Sequence, residues 1–99
     1  MIILKTQLSI ASDGRAAFLR HMNDLIAASL AEAGCLSFGC YEDVRTPNTF
    51  LVLQAWHSRD DLDRHEASAH VAAFKAQAGH LIIARMAAQV YTVSEAGEL

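Results

Sequence analysis

The sequence is poor in the residues that stabilise small secreted proteins or interrupt regular structure. Its 99 residues include one proline, two cysteines and five glycines, and aromatic residues make up 7%. Two cysteines are too few for a disulfide framework. Cys35 and Cys40 lie on one extended segment, where alternation places them on opposite faces, so we expect two free thiols in a reducing cytoplasm.

Long apolar runs and an excess of basic charge are also absent. The longest segment without Asp, Glu, Lys or Arg, residues 46–58, is shorter than the roughly 20 apolar residues of a membrane-spanning helix. Residues 1–7 show neither the basic start nor the apolar centre of a signal peptide. The net charge is −3 and the basic residues are scattered. We therefore expect a cytoplasmic protein that binds neither membranes nor nucleic acid.

Apolar side chains are abundant instead, at 53% of the sequence. The length corresponds to one domain, residues 1–99. A domain of this size buries only about 65% of the surface that its unfolded chain exposes. One copy of the chain therefore has difficulty in burying so many apolar groups.

The apolar residues follow two periods. A period of two predicts four strands, over residues 2–11, 36–44, 50–57 and 81–93. A helical period over residues 15–33 predicts a long amphipathic helix. Ser12 or Asp13 would cap the start of this helix, and Gly34 would follow its end.

Two shorter helices are predicted between the third and fourth strands. Ser58 begins a helix that carries Leu62 and His65, and Ser68 begins a second one that Gly79 ends. Residues 94–99 are predicted to form a loose tail. The order of elements is β-α-β-β-α-β, the ferredoxin-like α+β arrangement with helices on one face of an antiparallel sheet.

The predicted strands over residues 50–57 and 81–93 are apolar on both faces. One layer of helices covers only one face of a sheet. The other face would be an apolar patch larger than a soluble monomer tolerates. We therefore predict a homodimer formed through the sheet.

Several short motifs follow one another in the middle of the chain. They are Glu32-Ala33-Gly34-Cys35, Pro47-Asn48-Thr49-Phe50, Gln54-Ala55-Trp56, Leu62-Asp63-Arg64-His65 and Ser68-Ala69-His70, with Phe74 after them. In this order, over about residues 2–93, the sequence resembles the antibiotic biosynthesis monooxygenase (ABM) family. That family's pattern runs E-x-G-C, P-x-x-F, E-x-W, L-x-x-H, S-x-H and F. The resemblance implies a dimeric α+β barrel with a ligand pocket between the sheet and helices of each protomer.

The resemblance also implies a function. Members include cofactor-independent oxygenases of quinols or polyketide-like phenols, haem-degrading enzymes and an isomerase of a phosphorylated sugar. For this chain it implies a monooxygenase that oxidises a quinol, phenol or polyketide-like aromatic with O₂ and uses no cofactor. An isomerase of a small phosphorylated hydroxy-ketone and a non-catalytic ligand-binding dimer stay open as alternatives. Haem degradation is disfavoured because His65 and Lys75 stand where haem-degrading members have a bulky aromatic residue and an axial histidine.

The sequence departs from the family pattern at two positions. Gln54 stands where the family commonly has Glu, and Phe38 stands where Tyr is usual. Glutamine makes only neutral hydrogen bonds, so it cannot act as a base. This difference favours the non-catalytic alternative. Tyr41 lies on the opposite strand face and does not replace the missing hydroxyl.

His65 and His70 are the candidate catalytic residues, because imidazole exchanges protons near neutral pH. A helix break near Ser68 would bring the two rings to one pocket, although either could instead serve a structural role. A metal site would use His57, His65 and His70, with or without Asp61. No two of these histidines stand four residues apart, as in a helical zinc site, so no metal is predicted.

The candidate substrate-binding residues are Gln54, Trp56, Phe74 and Arg85. Gln54 and Trp56 share a strand face, from which they would position a small aromatic substrate and stabilise an oxyanion. Trp56 and Phe74 could equally belong to the core. Arg85 lies mid-strand among apolar residues and needs a partner, either Glu42 or Asp43 or an anionic ligand.

Overall fold

The computed structural model describes all 99 residues. Its elements are β1 (Ile2–Ile10), α1 (Arg15–Leu30), β2 (Cys35–Glu42), β3 (Thr49–Trp56), α2 (Arg59–Glu66), α3 (Ala69–Ala78) and β4 (Ile82–Thr92). The strands form one antiparallel sheet in the order β2-β3-β1-β4. This topology confirms the predicted ferredoxin-like α+β fold. None of the helices has the length and apolar character needed to cross a bilayer.

The core lies between the sheet and the helices. Alternate residues of β1 are buried against α1, beginning with Ile2 and Leu4 and ending with Ile10. From α1, Phe18 packs against the sheet, with its ring 5.2 Å from that of Phe50. This one-sided packing leaves the second face of the sheet uncovered by helices.

The predicted start of α1 at Arg15 is confirmed, but its predicted cap and its predicted end are wrong. Ser12 and Asp13 form a short 3₁₀ turn, and no side chain caps the helix. The helix ends at Leu30 rather than at residue 33, and Gly34 has a φ of 86° in the turn that leads into β2. The carbonyl of Gly34 accepts a 2.8 Å hydrogen bond from the N–H of His57, so this segment is fixed to the end of β3 instead of extending the helix.

A bulge at the start of β2 changes which residues share a face. Cys35 pairs with Trp56 and Cys40 with Val52, with a register shift before Ser37. Both cysteines therefore pack against the core on the helix side, and the prediction of opposite faces is wrong. The two thiols are free, as predicted, because about 16 Å of extended strand separates residues five positions apart. Leu36, at the bulge, is exposed.

A second bulge moves Arg85 to the helix side of β4. The register with β1 shifts between Thr6 and Leu8, and Arg85 lies opposite Leu8. It therefore does not share a face with Gln89 and Tyr91, contrary to the predicted alternation. Every residue of β4 after Ile82 is exposed, so this edge strand extends beyond the helix layer.

Candidate functional site

A cavity of about 200 Å³ lies between the sheet and the three helices. Nine of its 15 lining residues are hydrophobic. The polar lining residues are Thr6, Gln54, His65, Glu66, Lys75 and Arg85. An apolar cavity of roughly 150 Å³ accommodates benzene, so this one has room for a small aromatic molecule.

The break between α2 and α3 positions the two candidate histidines. The Ser58 side chain accepts a 3.2 Å hydrogen bond from the N–H of Asp61, and that of Ser68 accepts a 3.3 Å hydrogen bond from the N–H of Val71. These caps start the two helices as predicted and make the chain turn between His65 and His70. The two imidazole rings lie 5.7 Å apart.

Glu32 joins the two histidines. Its Oε2 atom lies 2.7 Å from His65 Nδ1 and 3.3 Å from His70 Nε2. The His65 side chain is only 2% exposed, against 20% for Glu32. A carboxylate accepts the hydrogen bond, so the neutral form of His65 would carry its proton on Nδ1 and leave Nε2 as an acceptor. His65 lines the cavity, and the hydrogen bond to Glu32 is the only one that the protein makes to its ring.

His70 lies on the other side of Glu32. It does not line the cavity with His65 but lines a small surface groove with His21 and Asp24. Its Nε2 atom is buried and makes no hydrogen bond of good geometry. The two histidines are therefore connected through Glu32 rather than through one pocket.

The position of Glu32 depends on the turn after α1. The Glu32 N–H donates to the carbonyl of Ser29 at 3.0 Å, and the Cys35 N–H donates to the carbonyl of Glu32 at 3.2 Å. Gly34 supplies the left-handed backbone conformation, and a Cβ atom there would lie 2.3 Å from Cγ of Asp61. Sequence reasoning missed Glu32 as a functional residue, although its place in the Glu32-Ala33-Gly34-Cys35 motif was a signal.

Trp56 packs against His65 from the core side and does not line the cavity. It is fully buried, and its ring centroid lies 4.6 Å from that of His65. Its indole N–H donates a 3.0 Å hydrogen bond to Oε1 of Gln54. Of the two roles that the sequence left open for Trp56, the structure places it in the core. Because the amide oxygen of Gln54 is occupied by Trp56, its NH₂ group is the part left for the cavity.

The other predicted residues have different surroundings. Phe74 is half-buried and lines the cavity. Arg85 also lines the cavity, but it is exposed and pairs with no carboxylate. Glu42, one of its predicted partners, instead forms an ion pair with Arg15. The structure thus brings Gln54, His65, Phe74 and Arg85 together around one cavity.

Glu32, His65 and His70 are also the residues with the chemistry to hold a metal ion. Their donor atoms lie within 4.8 Å of one another, and one carboxylate with two imidazoles suits Zn²⁺ or Fe²⁺. His57 is 78% exposed and lies beside Asp61 instead. Glu32 and His65 also form a direct hydrogen-bonded pair of carboxylate and imidazole. That the protein binds no metal stays a prediction.

The surroundings of both cysteines disfavour the thiolate, which is the nucleophilic form. Burial raises the pKa of the Cys40 thiol to about 11, so it stays protonated at neutral pH. Burial also raises the pKa of Cys35. A larger hollow of about 390 Å³ lies on the open face of the sheet, but no histidine or cysteine lines it. The two candidate histidines therefore lie on the helix side, away from this hollow.

Comparison with known proteins identifies a family that this chain resembles. The sequence profile described as "Antibiotic biosynthesis monooxygenase" matches residues 1–77. "Putative monooxygenase YcnE" of Bacillus subtilis is 30% identical over 84 residues, 85% of this chain and 88% of that protein. "Uncharacterized protein sll1783" of Synechocystis is 26% identical over 94 residues, which are 95% of this chain but only 64% of that protein.

A Mycobacterium tuberculosis protein matches in both sequence and structure. "Putative monooxygenase Rv0793" is 31% identical over 78 residues, 79% of this chain and 76% of that protein. Its solved structure superposes with a TM-score of 0.88 at 25% identity, covering 98% of each chain. The chain therefore belongs to the antibiotic biosynthesis monooxygenase family.

Proposed function

We propose that the protein is a cofactor-independent monooxygenase of a small phenol or quinol. The observation that carries the proposal is the Glu32–His65 pair at an apolar cavity. Glu32 contacts Nδ1 of His65 and so favours the neutral tautomer with its proton on Nδ1, in which Nε2 accepts a proton from a bound hydroxyl group. The adjacent carboxylate of Glu32 stabilises the imidazolium that forms, which offsets the cost of creating charge in an apolar surrounding.

The substrate itself supplies the electrons. After His65 takes the phenolic proton, the electron-rich anion reduces O₂, and the two recombine on the ring. For 1,4-dihydroxynaphthalene, one O₂ yields 2-hydroxy-1,4-naphthoquinone and one water, which balances atoms and electrons. The NH₂ group of Gln54 stabilises the substrate oxyanion by a neutral hydrogen bond. Trp56 holds both the amide and the imidazole in place.

The open face of the sheet supports a homodimer as the working form. Tyr91, Ile3 and Ala55 are neighbours across three strands on this face, and Leu53 lies beside them with 37% of its surface exposed. A second sheet packed against this face would bury these residues. The cavity lies on the helix side, so such a dimer leaves the catalytic residues within each protomer.

The test is O₂ uptake with 1,4-dihydroxynaphthalene, with ¹⁸O₂ as the oxygen source. We expect one ¹⁸O atom in the hydroxynaphthoquinone and no hydrogen peroxide beyond the uncatalysed background. His65→Asn should lower kcat by about 10²-fold or more. His57→Asn, which changes an exposed histidine outside the cavity, should leave the rate unchanged. An unaltered rate in His65→Asn, or turnover of a hydroxy-ketone without O₂, would contradict the proposal.

A further inference from the structure

Two cationic side chains line the cavity without an anionic partner. Lys75 lies in the last turn of α3 and Arg85 on β4. The ion pairs between arginine and carboxylate in this molecule are Arg15–Glu42, Arg59–Asp63 and Arg64–Asp61. Glu66 is the one acidic lining residue, and it forms an ion pair with neither cation. The cavity therefore carries more positive than negative charge in a chain whose net charge is −3.

Strand register separates Arg85 from the acid–base residues. Gln54 pairs with Leu4 of β1, whereas Arg85 lies opposite Leu8. Four residues of strand span about 13 Å. His65 lies at the Gln54 end, because it packs on Trp56. The cavity thus has a proton-accepting end and a cationic end.

The cationic end suits an anionic group better than a neutral one. Two unpaired cations attract an anion, and because both side chains are exposed this attraction weakens as salt is added. A guanidinium group also matches the two oxygens of a carboxylate with two parallel hydrogen bonds. A neutral ring would use neither of these properties.

We propose that the substrate is a hydroxylated aromatic that carries an anionic group, foremost a carboxylate, at the end remote from the reacting hydroxyl. Arg85 binds this group, with Lys75 as a second cation, while His65 faces the hydroxyl. The proposal names the substrate class of the monooxygenase proposed above and rests on that function.

The test is calorimetric binding of three probes that share one ring system. They are 6-hydroxy-2-naphthoate, its phosphate counterpart 6-hydroxy-2-naphthyl phosphate, and neutral 2-naphthol. We expect the wild type to bind the carboxylate at least about tenfold more tightly than 2-naphthol. Tighter binding of the phosphate than of the carboxylate would support the cationic site and indicate that its natural anion is a phosphate.

Charge-neutralising variants locate the effect. Arg85→Gln should remove most of the preference for the anionic probe, and Lys75→Gln should remove part of it. Arg20→Gln removes an exposed positive charge on α1 outside the cavity and should keep the full preference. Equal binding of the carboxylate and 2-naphthol by the wild type, or a preference that survives both Arg85→Gln and Lys75→Gln, would overturn the proposal. Since binding needs no turnover, an intact preference without O₂ uptake would refute the monooxygenase function alone.

Discussion

At the scale of single residues, the hydrogen bond between Trp56 and Gln54 gives the glutamine a definite role. The indole N–H selects the amide oxygen, and the amide NH₂ is left as a donor toward the cavity. A glutamate in this position would accept the same hydrogen bond but present a second oxygen with negative charge. The difference from the usual family pattern therefore replaces a negative group by a donor, at the point where the proposed mechanism places the substrate anion.

This role predicts the effect of Gln54→Glu. The added charge repels the substrate oxyanion, so kcat/KM for 1,4-dihydroxynaphthalene should fall by about ten- to a hundredfold. Gln54→Met, which removes the donor without adding charge, serves as the control and should lose less. Steady-state O₂ uptake measures both. Higher activity of Gln54→Glu than of the wild type would contradict the donor role, because it would show that a base or an acceptor at residue 54 serves the reaction better.

The sequence predicted the residue types of the site better than their contacts. His65, Gln54, Phe74 and Arg85 could be selected because their chemistry or motif is visible in the sequence. The bond between Glu32 and His65 joins residues 33 positions apart, and no local pattern encodes it. The full burial of Trp56 likewise depends on how α2 packs over β3.

At the scale of elements, the turn between α1 and β2 determines where Glu32 lies. Its geometry requires Gly34, since any side chain there would meet the carboxylate of Asp61. The two caps at Ser58 and Ser68 were readable from the sequence because capping is a local interaction. The bulges in β2 and β4 were not readable, because a register shift depends on the neighbouring strand.

Gly34→Ala should therefore lower both stability and activity. The left-handed backbone conformation alone costs about 1–3 kcal/mol for a residue with a side chain, and the contact with Asp61 adds to it. We expect a lower Tm, and a lower kcat at a temperature where the variant is folded, because Glu32 moves away from His65. Gly97→Ala, at a glycine with open space around it, is the control. Wild-type Tm and kcat in Gly34→Ala would show that the turn is adaptable.

A second connection joins the start of α1 to the end of β2. Arg15 donates a 2.8 Å hydrogen bond to Glu42, whose carboxylate also accepts one from the N–H of Asn48 at 2.9 Å. The hydrogen bond from Arg15, followed by that from Asn48, lowers the pKa of Glu42 from 4.5 to about 2. The folded protein therefore holds this carboxylate ionised at a pH where the unfolded chain protonates it.

The stabilisation from Glu42 should depend on pH in a defined direction. It is fully present above the ordinary pKa of 4.5 and is lost as the pH falls toward about 2. Arg15→Gln should therefore lower Tm at pH 7, and its difference from the wild type should shrink toward pH 2. Arg59→Gln, which breaks an exposed pair with Asp63 within α2, is the control. A Tm difference for Arg15→Gln that is constant from pH 7 to pH 2 would contradict this assignment.

At the scale of the whole molecule, the covered and open faces of the sheet have different roles. The helix face holds the cavity, and the open face holds exposed apolar residues such as Leu53 and Tyr91. The high apolar content of the sequence predicted that one copy could not bury all of its apolar surface. The exposure of almost all of β4 agrees with that reasoning.

The proposed dimer predicts a mass of twice the 10.8 kDa chain in light scattering at micromolar concentration. Leu53→Lys should shift the protein toward the monomer, because a buried, unpaired charge at the interface is costly. Leu30→Lys changes an exposed apolar residue at the end of α1 on the helix side and should leave the mass at twice the chain. A wild-type mass of 10.8 kDa would refute the dimer.

The uncovered edge strand has a consequence for how the stability of this protein is measured. If a second copy covers β4 and the open face, part of the free energy of unfolding comes from association, and it grows with the amount of protein. Melting curves at different concentrations would then not coincide. A cell that makes little of this protein would hold more of it in a form open to proteases than a cell that makes much.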